Sequence, residues 1–124
     1  MSCMIRVLCV AVTGVVASTA RAEGDVTRGE QKFEECAACH NVERGEESLG
    51  PSLYGVFGRK AGTASDFRYS PALKRSGITW TPEALDAFLT DPQKVVPANR
   101  MPYAGLTDAA DRADLIAYLQ KTFR

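Results

Sequence analysis

The sequence of 124 residues has no excess of charge of either sign, because 15 Lys and Arg face 15 Asp and Glu. It therefore lacks the basic surface that contacts with nucleic acid require, and we expect no nucleic-acid partner. It has only one His and one Trp, and its apolar runs stay below the roughly 18 residues that a membrane-spanning helix needs. The composition, 45% hydrophobic and 24% charged, excludes a disordered, collagenous or coiled-coil chain.

The first 22 residues have the pattern of a secretory signal peptide. Arg6 precedes a mostly apolar run over residues 7–20, and Ala20-Arg21-Ala22 offers a small-x-small cleavage pattern. A membrane anchor is the alternative, but the run is short for a span, and the residues around Cys9 do not fit lipoprotein attachment. We expect cleavage after Ala22, which leaves one exported, soluble, periplasmic domain at 23–124.

Capping patterns predict an all-α fold of about four helices. We expect them from Asp25 to about Cys36, from Ser70-Pro71 to Gly77, from Thr81-Pro82 to Asp91-Pro92, and from Asp108 towards the C-terminus. In the last helix, the spacing points Leu115, Ile116 and Leu119 inward and leaves Asp111, Arg112 and Lys121 in solvent. No alternating β pattern occurs.

Two stretches, 41–67 and 92–106, carry Gly and Pro instead of a helical pattern. Loops of this length in a small domain are usually functional. Four modest helices supply no obvious core to order them. We therefore look for a cofactor around which they fold.

Cys36-Ala37-Ala38-Cys39-His40 is a C-x-x-C-H motif, typical of covalent c-type haem attachment. Two thiols three residues apart at a helix end can each form a thioether to a haem vinyl group, and His40 then brings its imidazole to the iron. A zinc site would need four ligands, and a thioredoxin-like pair would lie near a βαβ pattern. A disulfide between the two thiols is the remaining alternative, although so tight a loop constrains little.

Met101 is the single methionine in residues 23–124. It lies in Pro97-Ala98-Asn99-Arg100-Met101-Pro102, away from any periodic apolar stripe, so a role as core filler is less fitting. His/Met ligation raises the potential of electron-carrying haem proteins, and Met101 is the natural sixth ligand of the iron. An open or lysine-ligated sixth position is the alternative.

From Gly24 onward the chain resembles a class I cytochrome c of the mitochondrial and alphaproteobacterial kind. The residues that carry the resemblance are, in order, Cys36-Ala37-Ala38-Cys39-His40, the run Gly50-Pro51-Ser52-Leu53-Tyr54-Gly55-Val56-Phe57-Gly58-Arg59-Lys60-Ala61-Gly62, Gly77-Ile78-Thr79-Trp80, Met101-Pro102-Tyr103-Ala104-Gly105 and Asp114-Leu115-Ile116-Ala117-Tyr118-Leu119.

The resemblance implies one haem c and further roles around it. The carbonyl of Pro51 would accept from the ring of His40. Tyr69 and the indole of Trp80 would bond a haem propionate, and Arg59 would offset its charge. Gly29 and Phe33 would meet Leu115 and Tyr118 where the first and last helices cross.

Three departures from the family pattern bear on tuning and docking. Phe88 stands where many relatives have a Tyr that contacts the methionine sulfur, and Leu73 stands where an Asn is common. Glu34 and Glu35 replace lysines of the mitochondrial docking face.

The motif and the resemblance together indicate a monomeric one-electron carrier, not an enzyme. Its partners would be redox proteins: a cytochrome bc complex, a terminal oxidase, a photosynthetic reaction centre or a periplasmic dehydrogenase. Lys60, Lys74, Lys94 and Arg100, in the basic stretch 59–100, could steer an acidic partner. The alternatives are a haem peroxidase or ligand sensor with a vacant or displaceable sixth ligand, and a zinc or disulfide module.

Overall fold

The computed structural model describes residues 23–44, 48–65 and 67–123, and contains five helices within them. These are α1 (Val26–Ala37), α2 (Pro71–Arg75), α3 (Pro82–Thr90), α4 (Pro92–Val95) and α5 (Ala109–Thr122). The expected signal peptide at residues 1–22 lies outside the described residues. None of the described helices is long and apolar enough to cross a membrane.

Side-chain caps begin all five helices. Each cap is an Asp, Ser or Thr whose oxygen accepts from the backbone N–H three residues later, which satisfies a donor that the helix itself cannot pair. The caps are Asp25, Ser70, Thr81, Asp91 and Asp108. The all-α prediction is thus confirmed, and the described residues contain five helices where about four were expected. Asp91-Pro92 was expected only to end the third helix, but it also begins the single turn of α4.

The crossing of α1 and α5 forms one side of the core. Gly29 is buried at this crossing. A Cβ at this position would overlap the carbonyl oxygen of Asp114, so the two helices can approach this closely only with a glycine here. The ring of Phe33 lies 5.3 Å from that of Tyr118 and 5.4 Å from that of Phe123. The predicted contact of the two terminal helices is therefore confirmed, and it depends on a glycine that lets the backbones approach.

An ion pair ties the start of α1 to α5. Nε of Arg28 donates to Asp114 over 2.7 Å, and the backbone N–H of Asp25 donates to the same carboxylate over 2.6 Å. Lys32 and Asp111 form a second pair at 2.7 Å. The pKa of Asp114 is lowered, chiefly by the hydrogen bond from Arg28 and then by that from the backbone of Asp25.

The expectation that Arg112 lies in solvent is wrong. Its residue exposure is 8%, and its Nε donates to Asp86 on α3 over 2.9 Å. Its Nη1 donates to the carbonyls of Leu106 and Thr107. Arg112 precedes the three buried apolar residues of α5 by three, four and seven positions, so it lies on the buried face of the helix, and acceptors outside the helix pair its guanidinium.

The irregular stretches join the core through short backbone pairings. Within the described residues, a single isolated antiparallel bridge links Lys60 to Thr79, with Ala61 donating to Ile78 and Trp80 donating to Arg59. These bonds bring the loop after α1 beside the turn that precedes α3. The core continues there through Trp80 and Phe88, whose rings pack edge to face at 5.1 Å.

Candidate haem site

The two cysteines lie where α1 ends. Cys36 is in its last turn, and the backbone N–H groups of Cys39 and His40 both donate to the carbonyl of Cys36, over 3.0 and 2.9 Å. This compact turn keeps the three side chains of the motif together. Both thiols are free and half-buried. Burial, with a contribution from the carboxylate of Glu35, raises the pKa of Cys36 to about 11.

The imidazole of His40 is held from one side by the loop that follows. Its Nδ1 lies 2.7 Å from the carbonyl oxygen of Pro51. A Cβ at Gly50 would lie 2.8 Å from Cε1 of the ring, so a glycine is needed for the loop to come this close. Burial lowers the pKa of His40, which favours the neutral ring that binds metals, while the hydrogen bond to Pro51 opposes the shift. The contact with Pro51 orients the ring and leaves Nε2 for a metal.

Met101 lies in an extended segment between α4 and α5. It is half-buried and packs against the hydrophobic core. Its backbone N–H donates to Oδ1 of Asn99 over 2.9 Å. Two residues on, the pKa of Tyr103 is raised by burial and then by Cys36. Met101, Tyr103 and Cys36 all pack against the same hydrophobic core.

Arg59 and Trp80, two of the three residues expected near the haem propionates, are brought together. The backbone N–H of Trp80 donates to the carbonyl of Arg59 over 2.9 Å, and the indole is buried. The Nη atoms of Arg59 donate to the carbonyls of Ser52 and Tyr54, but its buried Nε has no hydrogen-bond partner among the described residues. Tyr69, the third residue, is buried just before α2.

Residue-pattern reasoning missed two residues that support the ligands. Asn99 is buried, and its side chain bonds both α4 and Met101. The hydroxyl of Ser52 donates to the carbonyl of Glu43 over 2.5 Å, which closes the loop around His40. An Asn in a Pro-rich turn was a signal for the first, since Asn side chains often bond nearby backbone. Nothing in the sequence signalled the second.

These residues fit a covalently attached haem. Two unpaired thiols and an imidazole share one helix end, which is the donor set that thioether attachment and axial ligation require. A buried Arg59 Nε without a partner is costly unless an anion reaches it, and a propionate carboxylate has the right charge. His40 would supply one axial nitrogen, and Met101 is the soft sulfur available as the other ligand.

Comparison with known proteins agrees with this chemistry. Residues 26–123 match the family model of cytochrome c. The chain is 50% identical over 88 residues to "Cytochrome c2 iso-2" of Magnetospirillum fulvum, which covers 71% of this chain and 92% of the relative. It is 41% identical over 116 residues to "Cytochrome c2" of Rhodomicrobium vannielii, which covers 93% of each chain.

A solved structure gives the same result for the fold. Cytochrome cH from Methylobacterium extorquens superposes with a TM-score of 0.75 at 44% identity, over 79% of this chain and 99% of that one. The family match spans nearly all the described residues, and both the sequence relatives and the structural neighbour are cytochromes. The chain therefore belongs to the cytochrome c family, binds one covalently attached haem c, and acts as an electron carrier rather than an enzyme.

Proposed function

We propose that the protein is a soluble, monomeric, periplasmic one-electron carrier, with thioethers at Cys36 and Cys39 and axial ligands from His40 and Met101. The observation that carries the proposal is the state of His40. Burial lowers the pKa of its ring, its Nδ1 lies 2.7 Å from the carbonyl oxygen of Pro51, and it follows directly after the two free thiols. That arrangement leaves one nitrogen and two sulfurs at a single helix end.

The chain's own residues hold and tune the cofactor. The attached haem supplies an iron that takes up and releases one electron. Pro51 fixes the plane of the His40 ring, and the hydrogen bond strengthens the nitrogen as a ligand. The thioether sulfur of Met101 would favour the reduced state, and His40 and Met101 together would leave no position for a substrate. Filling both axial positions suits a carrier and not a peroxidase.

Arg59, Trp80 and Tyr69 would bind the propionates. Arg59 Nε is a buried donor that lacks a partner among the described residues, and Trp80 is buried beside it. An indole N–H buried at this place needs an acceptor, which a propionate would supply. These contacts would neutralise the carboxylates without exposing them to water.

An absorption spectrum of the purified, oxidised protein tests the ligation. We expect a low-spin spectrum with the weak far-red band of a methionine–iron bond. Met101→Leu keeps the size of the side chain but removes the sulfur, so it should give a high-spin spectrum. Met101→His is the matched control: it should restore the low-spin form without the far-red band. A high-spin wild type would overturn the proposal.

The location and the processing site are tested together. The proposal requires the protein in the periplasmic fraction after osmotic shock, with a mass that corresponds to residues 23–124 plus one haem. Recovery in the membrane fraction at the mass of the full chain would contradict it.

Electron exchange would occur with acidic faces of redox complexes such as a cytochrome bc complex, a terminal oxidase, a reaction centre or a periplasmic dehydrogenase. Lys60, Lys74, Lys94 and Arg100 are exposed and could steer such partners. Lys94→Glu should slow electron transfer to membranes of the source organism, and the difference should shrink as salt is added. Lys121→Glu, at the exposed end of α5, is the matched control with the same change of charge. Equal rates for the two variants would refute this docking face.

A further inference from the structure

The segment that carries Met101 is tied to the fold by the side chain of Asn99. This residue has an exposure of 7%, and its Nδ2 donates to the carbonyls of Pro92 and Val96 over 2.8 and 2.9 Å. Its Oδ1 accepts from the backbone N–H of Met101 over 2.9 Å. One amide thus joins the single turn of α4 to the residue that we propose as a ligand.

The main chain of Asn99 is held as well. Its N–H donates to the carbonyl of Val96 over 3.1 Å, and its carbonyl accepts from Nε2 of Gln93 over 3.0 Å. The bonds that Asn99 forms with Pro92, Gln93 and Val96 join the Met101 segment to α4 and its C-cap. They are present while the segment packs against α4 and are lost when it moves away. They therefore favour the packed arrangement, in which Met101 is in position to act as a ligand and which we call the seated state.

Ala98, the preceding residue, acts in the opposite direction. Its φ is +66°, and it is the only non-glycine among the described residues with a positive φ. An alanine in this left-handed region is strained because its Cβ crowds the following carbonyl. The strain is released when the segment opens, so it disfavours the seated state.

We propose that Asn99 is a positioning residue that keeps Met101 seated, and that the strained backbone of Ala98 weakens the same attachment. The two neighbouring residues would then set how readily an external ligand displaces Met101. The inference rests on the proposed ligation by Met101. It concerns the balance between a seated and an open segment, which the ligation alone does not determine.

Titration of the oxidised holoprotein with imidazole measures this balance, since imidazole binds after Met101 leaves. Asn99→Ala should bind imidazole about tenfold more tightly than the wild type, equivalent to about 1.4 kcal/mol. Ala98→Gly should bind imidazole about threefold more weakly, because glycine adopts this φ without strain and therefore favours the seated segment. The change is no larger because glycine also gives the open segment more conformational freedom. The two variants therefore shift the dissociation constant in opposite directions.

Asp114→Asn is the control for a general loss of stability. It weakens the contact between α1 and α5 and removes no hydrogen bond to the Met101 segment, so it should lower the urea midpoint while leaving the imidazole dissociation constant within about twofold. A wild type without the far-red methionine–iron band would overturn the proposed ligation itself. A wild type that has the band, with Asn99→Ala and Ala98→Gly unchanged in imidazole affinity, would overturn the role of Asn99 and Ala98 alone. Should Asn99→Ala fail to fold, Asn99→Ser takes its place with the same expected direction, and an unchanged imidazole affinity in that variant would overturn the role of Asn99.

Discussion

Replacing Gly29 with alanine tests the helix crossing that closes the core. A Cβ on Gly29 would overlap the carbonyl oxygen of Asp114 and lie 2.7 Å from the Cβ of Tyr118. One obstacle is the backbone of α5 and the other is the first carbon of a side chain, so neither can rotate away. We expect α5 to be pushed from α1, which would also disturb the stacking of Phe33 on Tyr118.

The size of the effect follows from two opposing contributions. Overpacking a core typically costs about 1–3 kcal/mol, and the upper end applies where the backbone must move. Alanine recovers about 0.5–1 kcal/mol because it loses less backbone entropy in a helix than glycine. The free energy of unfolding should therefore fall by about 2 kcal/mol. With an m-value of about 2 kcal/mol/M, the urea midpoint would fall by about 1 M.

Urea unfolding of the haem-loaded protein, followed by far-ultraviolet circular dichroism, measures this shift. Gln31→Ala, on the exposed face of α1, is the control and should change the free energy by less than about 0.5 kcal/mol. If Gly29→Ala unfolds at the same urea concentration as the wild type, the two helices do not need this close approach and the reasoning is refuted.

Three further predictions concern charged side chains. The pKa of Asp114 lies below its ordinary value of 3.8, chiefly through its bond with Arg28, so this carboxylate stabilises the fold above about pH 4 and stops doing so as the pH falls through the lowered pKa. Asp114→Asn should therefore unfold more easily than the wild type near pH 7, with the two curves converging in acid; a constant difference at every pH would contradict this assignment. Arg112→Ala removes one partner of Asp86 and two donors to backbone carbonyls, and should lower the free energy of unfolding in urea by about 2–3 kcal/mol, discounted from a fully buried pair because Asp86 is partly exposed. Arg59→Gln should lower the reduction potential in a spectroelectrochemical titration, because the oxidised iron carries the extra positive charge and repels Arg59 more; an unchanged potential would place Arg59 away from the haem.

The sequence correctly predicted the features that depend only on neighbouring residues, such as the starts of helices. Ser70-Pro71 and Thr81-Pro82 each begin a helix as expected, because a capping oxygen and a proline with a preset φ act on the residues next to them. The attachment motif is likewise local, since two thiols and an imidazole within five residues need only one turn of helix to share an end. Those predictions required no knowledge of the rest of the fold.

Arg112 shows where such reasoning stops. Its charge predicts a place in solvent, although it precedes the three buried apolar residues of α5 by three, four and seven positions and so lies on the buried face. The sequence of α5 says nothing about acceptors supplied by other elements. The carboxylate of Asp86 and the carbonyls of Leu106 and Thr107 converge on it only after α3 and the Met101 segment have packed against α5. From sequence alone, a charged residue of a helix is therefore predicted to face solvent. Arginine is the residue most able to contradict that prediction, because its long side chain can reach acceptors on other elements.

The helix α4, which supports the Met101 segment, could have been predicted from the sequence. Asp91-Pro92 has the same cap-and-proline pattern as Ser70-Pro71, and it begins α4 as well as ending α3. A cap residue can serve both functions, because the end of one helix leaves Asp91 in the extended conformation that begins the next. The carbonyl of Pro92 accepts from the backbone N–H of Val96 and from the side chain of Asn99, which also donates to the carbonyl of Val96. Because a short helix leaves most of its last carbonyls without intrahelical donors, an amide side chain that follows it closely is a candidate to pair them.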